Sequence, residues 1–130
     1  MRALVVDDSA SMRAILKRTL AERGFEVAAA PSGLDALRMM AQQNPDLVLI
    51  DWNMPGMNGF DLLREIRRQP SYAQVKLVMV TTETNKAEMT HALAAGADEY
   101  IMKPFTPDVV YDKLRVAGLP VPYAESIACA

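Results

Sequence analysis

Hydrophobic positions along the chain fall into five short apolar runs, separated by longer stretches in which apolar residues recur at helical spacing. A run of Leu, Val, Ile or Met is typical of a strand buried on both faces of a parallel sheet. The five runs lie at 3–6, 27–30, 47–50, 77–80 and 100–102. The run at 27–30 is mostly alanine, so we expect that strand nearer an edge of the sheet.

The stretches between and after these runs predict five helices, since their apolar residues recur three and four positions apart. Ser32 is placed to cap the second helix, and Thr106, Pro107 and Asp108 form a typical start for the fifth. The fourth helix is the poorest in large apolar groups, so we expect it to be held least firmly. The positions expected to face the sheet are Met12, Ile15, Leu16 and Leu20; Leu34, Leu37, Met40 and Ala41; Phe60, Leu63 and Ile66; Met89, Ala92 and Leu93; and Val110, Leu114 and Ala117.

Alternating strands and helices with short connections imply parallel strands joined by right-handed crossovers. The predicted fold is therefore α/β, a doubly wound five-stranded parallel sheet with helices on both faces. Gly24, Gly96 and Gly118 follow three of the helices, where a left-handed C-cap is common. Sheets of this kind place their sites at the carboxyl ends of the strands.

The length, net charge and cysteine content of the chain exclude several classes of protein. The 130 residues are enough for one core and one domain. A net charge of −2 is unlike the basic footprint of a nucleic-acid binder, and the chain has no apolar stretch of about 18 residues that could span a membrane. Cys129, the single cysteine, cannot form an internal disulfide. We expect a cytoplasmic monomer with no nucleic-acid or membrane partner.

We place the domain at residues 1–118 and a C-terminal tail at 119–130. Pro120 and Pro122 rule out a regular helix in the tail, which we expect to be frayed or loosely docked. We expect no output domain. Three arginines of the third helix, Arg64, Arg67 and Arg68, predict a solvated basic patch.

Four of the five predicted strand ends carry residues suited to phosphoryl chemistry. Asp7 and Asp8 follow the first strand, Asp51 ends the third, Thr81 the fourth and Lys103 the fifth. Three carboxylates at close range repel unless one protonates or a cation binds, and a hard ion such as Mg²⁺ suits such a site. A carboxylate can also form an acyl phosphate, with the hydroxyl and the ammonium binding phosphoryl oxygens. Each residue alone is more often a loop or cap residue; their conjunction favours a site.

These residues resemble the receiver domain of two-component response regulators, in particular its stand-alone, CheY-like type. The resemblance extends from about residue 4 to residue 114. It is carried by VVDDS at 5–9, DWNMPGMNG at 51–59, VTTE at 80–83, Tyr100, and KPF at 103–105. It implies a flavodoxin-like (βα)5 fold with strand order 2-1-3-4-5, the order known for that family.

The resemblance implies a role for each acidic residue. Asp51 would be the phosphoacceptor and, with Asp8, a direct ligand of Mg²⁺, with Mn²⁺ as an alternative ion. Asp7 would bind the ion partly through water, and Asn53 would offer its backbone carbonyl.

Further roles concern the phosphoryl group and its lifetime. Lys103 and Thr81 would bind the phosphoryl group, and Tyr100 would turn inward as Thr81 engages it. Asn53 and Glu83 would tune the lifetime of the phosphorylated state, unless both are solvated loop residues. In this family the peptide bond before Pro104 tends to be cis.

The resemblance implies a signalling protein rather than an enzyme, with only weak self-phosphorylation and autodephosphorylation. A histidine kinase or phosphotransfer protein would donate the phosphoryl group, and a phosphatase is a further expected partner. A target protein would bind the face formed by the fourth helix, fifth strand and fifth helix. Chemotaxis or motility is the expected process; a phosphorelay intermediate and a cell-cycle-type receiver are the alternatives.

Two other functions fit the sequence less well. A metal-dependent phosphatase of similar architecture usually has a second aspartate two residues after its nucleophile, where this chain has Asn53. A flavin carrier would need a phosphate-cradling loop after the first strand, where Asp7 and Asp8 would repel phosphate without a cation.

Overall fold

The computed structural model describes residues 1–82 and 86–123, within which five strands alternate with five α-helices. The strands are β1 (Arg2–Val6), β2 (Glu26–Ala30), β3 (Leu47–Asp51), β4 (Lys76–Thr81) and β5 (Glu99–Met102). The helices are α1 (Ala10–Ala21), α2 (Gly33–Gln42), α3 (Gly59–Arg67), α4 (Lys86–Ala94) and α5 (Pro107–Val116), and a short 3₁₀ turn (Pro70–Tyr72) precedes β4.

The strands form one sheet in the order β2-β1-β3-β4-β5, with every neighbouring pair parallel. This confirms both the α/β doubly wound class and the strand order implied by the resemblance. The alanine-rich β2 lies at an edge, as expected. The strand order reverses between β1 and β3, so a cleft is expected at their carboxyl ends.

Two hydrophobic layers hold the sheet. On one face, α2, α3 and α4 pack over Leu4, Val48 and Met79 and their neighbours. On the other, α1 and α5 pack over Val5 and Leu49. Side chains alternate between the two layers along each strand, as the pleat requires, and the central strands β3 and β4 are buried along nearly their whole length. This rigid base fixes the positions of the loops at the strand ends.

The residues at the helix ends have the capping roles predicted from the sequence. Ser32 and Thr106 each accept a hydrogen bond from a backbone N–H of the first turn that they cap. Gly24, Gly96 and Gly118 have φ angles of +89°, +118° and +101°. Only glycine adopts this region readily, which is why these residues end their helices.

Several positions expected to face the sheet are exposed instead. These are Ile15 (47%), Leu34 (57%), Leu93 (41%) and Ala41. The stripe that each helix buries is narrower than the apolar pattern suggested; α2, for example, buries Ala36 and Met40. In α4 the one fully buried residue is Ala92, so that helix is the least embedded of the five, in line with the prediction.

The prediction of a solvated patch on α3 was wrong for Arg67. Its Nε donates to Gly96 O at 2.9 Å, its Nη1 to Tyr72 O at 3.0 Å, and its Nη2 to Val75 O at 2.9 Å. Nη2 also lies 3.0 Å from Asp98 Oδ2. This set of contacts, here called the Arg67 clamp, ties the end of α3 to the segments before β4 and β5.

The first residues of the tail are docked on the domain. Leu119 and Val121 are buried in the layer of α1 and α5. Arg115 donates from Nε to Val121 O at 3.1 Å, and its guanidinium lies 3.8 Å above the ring of Tyr123. Residues 124–130, including Cys129, lie outside the described part of the chain. None of the helices described is both long and apolar enough to cross a membrane.

Candidate functional site

Strand register brings the three predicted acids together. Val6 of β1 pairs with Ile50 of β3, so the next residues, Asp7 and Asp51, leave neighbouring strands at the same level. One carboxylate oxygen from each of Asp7, Asp8 and Asp51 can be chosen so that all three lie within 4.8 Å of one another. The predicted convergence of these acids is therefore present in the structure.

The three carboxylates differ in their access to water. Asp7 and Asp51 are 1% and 5% exposed, whereas Asp8 lies exposed on the turn that follows β1. Lys103 reaches into the same pocket from the loop after β5. Its Nζ lies 3.1 Å from Asp51 Oδ1 and 3.5 Å from Asp7 Oδ2. One ammonium therefore faces two buried carboxylates, which leaves the pocket with an excess of negative charge.

Burial raises the pKa of Asp51 above its ordinary value, because the charged form loses the stabilisation of water. The hydrogen bond and the charge of Lys103 oppose this rise, as does a hydrogen bond from the backbone N–H of Asn53, while the charge of Asp7 adds to it. The positive charge of Lys103 therefore does not fully offset the loss of water around the Asp51 carboxylate. A bound cation would add positive charge beside it.

The remaining predicted residues lie on β4, on β5 and in the loop after Asp51. Thr81 is buried at the end of β4, and its carbonyl accepts a hydrogen bond from the N–H of Lys103 at 2.8 Å. Asn53 lies exposed in the loop two residues after Asp51. Tyr100 is half-buried on β5, paired with Met79, with the Nζ of Lys113 4.6 Å from its ring centre.

The loops after β4 and β5 contain two further features that were predicted for the site. The Lys103–Pro104 peptide is cis, as the family resemblance implied. Glu83, the second residue predicted to tune the lifetime, lies outside the described residues.

The structure adds residues that sequence reasoning missed. The backbone N–H of Ser9 donates to Asp7 Oδ1 at 2.9 Å, and Arg13 Nη1 donates to the backbone carbonyl of Asp7 at 2.8 Å. Ser9 could have been found as the N-cap of α1. Arg13 gives no such signal, because a helical arginine six residues after an aspartate is usually solvated.

Gly59 is a further residue that the motif contained but that received no role. A Cβ at this position would lie 2.8 Å from Trp52 Cα and would collide with the backbone carbonyl oxygen of Asp51. The first residue of α3 thus packs directly against the main chain that carries Asp51, and only glycine leaves room for it.

We expect Gly59→Ala to displace the backbone at Asp51, to lower the free energy of unfolding by about 2 kcal/mol, as overpacking does, and to weaken cation binding. Urea unfolding and a Mg²⁺ titration followed by Trp52 fluorescence would measure both effects. Gly56→Asn is the control, since Gly56 has a φ of +74°, a hypothetical Cβ there meets nothing within 4 Å, and asparagine tolerates this backbone region. Equal losses in both variants would contradict the packing argument.

The donor set fits a hard divalent cation. Two carboxylates of the pocket are buried, the third is open to solvent, and the backbone carbonyl of Asn53 belongs to the adjoining loop. Mg²⁺ prefers a few oxygen ligands and keeps several waters, so a pocket open on the side of Asp8 suits it. The structure thus has an acidic pocket of the kind that holds Mg²⁺ in receiver domains.

A family comparison agrees with this site. Residues 3–115 match the model of the response regulator receiver domain. The fold is that of a receiver domain, and with this match the chain belongs to the response regulator receiver family. Members of this family are signalling proteins that take a phosphoryl group from histidine kinases and bind target proteins.

Within the family, several similar curated proteins are chemotaxis proteins. The chain is 45% identical over 118 residues to the chemotaxis protein CheY1 of Helicobacter pylori, covering 89% of this chain and 95% of that protein. It is 47% identical over 117 residues to the chemotaxis protein CheY homolog of Campylobacter jejuni, covering 88% and 90%. The crystal structure of the chemotaxis response regulator CheY4 of Vibrio cholerae superposes with a TM-score of 0.84 at 34% identity, covering 89% and 97%.

Proposed function

We propose that this protein is a phosphorylation switch in which Asp51 accepts a phosphoryl group beside a bound divalent cation. The observation that carries the proposal is the position of Lys103, whose Nζ lies 3.1 Å from Asp51 Oδ1 within a pocket of three acids. A buried ion pair is weak evidence for a purely stabilising role, because the cost of removing both charges from water offsets their attraction. It is the arrangement expected where an anionic group is transferred.

The chemistry is a displacement at phosphorus. A carboxylate oxygen of Asp51 attacks the phosphorus atom of a phosphohistidine donor and forms a P–O bond, while the P–N bond to the donor imidazole breaks. The imidazole leaves with the electron pair and is protonated from solvent. The Lys103 ammonium and the Thr81 hydroxyl bind phosphoryl oxygens, so that the added charge is met by donors already in place.

Asp8 and Asp51 would bind Mg²⁺ directly, Asn53 through its backbone carbonyl and Asp7 partly through water. Mn²⁺ has the same preference for oxygen ligands and is the alternative ion. The ion supplies positive charge that offsets the three carboxylates and the incoming phosphoryl group.

The change of shape would pass along β4 and β5. Tyr100 pairs with Met79, two residues before Thr81, so Thr81 and Tyr100 lie on the face of the sheet that α4 covers. Movement of Thr81 toward a phosphoryl group leaves space on that face, and Tyr100 turns inward to fill it. The face formed by α4, β5 and α5 then presents a different surface to a target protein.

The lifetime of the phosphorylated state would depend on Asn53 and Glu83, which flank the approach of an attacking water in this proposal. Slow self-phosphorylation from small donors and slow autodephosphorylation follow from the same site, without a dedicated catalytic base. A phosphatase partner would shorten the lifetime further.

Chemotaxis is the process we propose, because the similar curated proteins bear that name. The donor would be a histidine kinase or a phosphotransfer protein. We further propose that residues 1–118 act as a cytoplasmic, monomeric receiver whose output is binding to a target protein, with 119–130 as a tail.

Incubation with Mg²⁺ and acetyl phosphate, followed by intact mass measurement, tests the proposal. We expect the mass of one phosphoryl group to be added to the wild-type protein, no gain in EDTA, and no gain in Asp51→Asn. Asp112→Asn removes an exposed carboxylate of α5 and should still gain the group. A gain that persists in Asp51→Asn would refute the assignment of the acceptor.

A further inference from the structure

Arg13 lies on the second turn of α1 and reaches back across the turn that joins β1 to α1. Its Nη1 donates a hydrogen bond to the backbone carbonyl of Asp7 at 2.8 Å, and its side chain is half-buried. The contact spans six residues, so it fixes the start of the helix to the end of the strand.

The carbonyl that Arg13 binds belongs to the peptide bond between Asp7 and Asp8. A peptide unit is planar, so the direction of its carbonyl also fixes the position of the next Cα. Asp7 is held independently: its N–H donates to Ala30 O at 3.2 Å, and its carboxylate accepts from the N–H of Ser9. Asp8 sits on the exposed turn, so its placement depends on how that turn is held.

We infer that Arg13 is a positioning residue for the divalent-cation site, acting by fixing the Asp7–Asp8 peptide so that the Asp8 carboxylate points toward Asp51. This inference rests on the metal site of the proposed function. It assigns a role to a residue that would not itself touch the cation.

The positive charge of Arg13 weakens cation binding, whereas its positioning of Asp8 strengthens it. A guanidinium close to the pocket repels a divalent ion, so its removal by itself would strengthen Mg²⁺ binding. Loss of positioning weakens it, and residues that orient metal ligands typically contribute about 10- to 100-fold in affinity. The two effects differ in sign, so the direction of the change decides between them.

The test is a Mg²⁺ titration followed by Trp52 fluorescence, without a phosphodonor. We expect Arg13→Met to bind Mg²⁺ about 10-fold more weakly than the wild type, and Arg13→Lys to recover part of the loss. Arg18→Met is the control: it removes the same charge from an exposed position on the last turn of α1 and should leave the affinity unchanged. Equal or tighter binding by Arg13→Met would overturn the inference.

A double-mutant cycle tests whether Arg13 acts through Asp8. In an Asp8→Asn background, Arg13→Met should have little further effect on Mg²⁺ affinity, because the ligand that it positions is gone. Additive losses would overturn the inference, since they would mean that Arg13 acts elsewhere.

The outcomes also separate this inference from the proposed function. Failure of the wild-type protein to bind Mg²⁺ would overturn the metal site and the role of Arg13 together. Normal binding by both the wild type and Arg13→Met would overturn the role of Arg13 alone.

Discussion

Replacing Lys103 with alanine is expected to slow phosphorylation of Asp51 by about 100-fold while strengthening Mg²⁺ binding. The ammonium lies 3.1 Å from Asp51 and 3.5 Å from Asp7, with only 19% of its side chain exposed. Loss of one preorganised donor to a developing anion typically costs 100- to 1,000-fold in rate. The same ammonium repels a divalent ion in the pocket, so its removal favours the ion.

The two effects are measured separately. A Mg²⁺ titration by Trp52 fluorescence gives the affinity, and the rate with acetyl phosphate at saturating Mg²⁺ gives the transfer step. Lys17→Ala removes an exposed lysine of α1 and should change neither quantity. A Lys103→Ala variant with unchanged rate would mean that this lysine does not stabilise the transfer, and a parallel fall of rate and affinity would indicate a collapsed pocket.

The largest expected loss of stability away from the site comes from the Arg67 clamp. In Arg67→Met, three backbone carbonyls and the Asp98 carboxylate lose a charged donor at once. Each such hydrogen bond contributes about 1 kcal/mol net, and the Asp98 carboxylate loses its positive partner while keeping the hydrogen bond from the N–H of Leu77. We expect the free energy of unfolding to fall by about 3 kcal/mol, measured by urea denaturation.

The next residue on the same helix provides the control. Arg68 pairs with Glu65 at 2.6 Å, but its side chain is 73% exposed. Exposed ion pairs contribute little, so Arg68→Met should change stability by no more than about 0.5 kcal/mol. Similar losses in the two variants would show that the clamp contributes no more than a surface contact.

The strands of the sheet are predicted well because a strand that is buried on both faces is apolar at nearly every position. Continuous apolar runs such as 47–50 occur where a strand is covered on both faces, and the structure buries all of β3. The site follows from the same logic, since residues directly after parallel strands meet at one edge. Asp7, Asp51 and Lys103 could therefore be placed at the same edge of the sheet before any coordinates, and the strand order implied by the family resemblance brought Asp7 and Asp51 onto neighbouring strands.

Contacts between distant segments could not be predicted in this way. Arg67 looks like any exposed helical arginine until α3 is placed beside the loop that contains Gly96 and Asp98. Ile15 and Leu34 belong to apolar stripes, yet the structure leaves both side chains exposed, because each helix buries a narrower stripe than its pattern suggests. The strand order came from the family resemblance, because the local pattern does not say which strands are neighbours.

The packing of Gly59 limits the directions in which the main chain of Asp51 can move. Its backbone lies directly behind the main chain of Asp51, and that contact leaves no free volume on the side of α3. Gly59 thus packs tightly against Asp51, whereas α4 has a single fully buried residue, Ala92. The main chain of Asp51 therefore has less room to shift toward α3 than a more loosely packed segment would have.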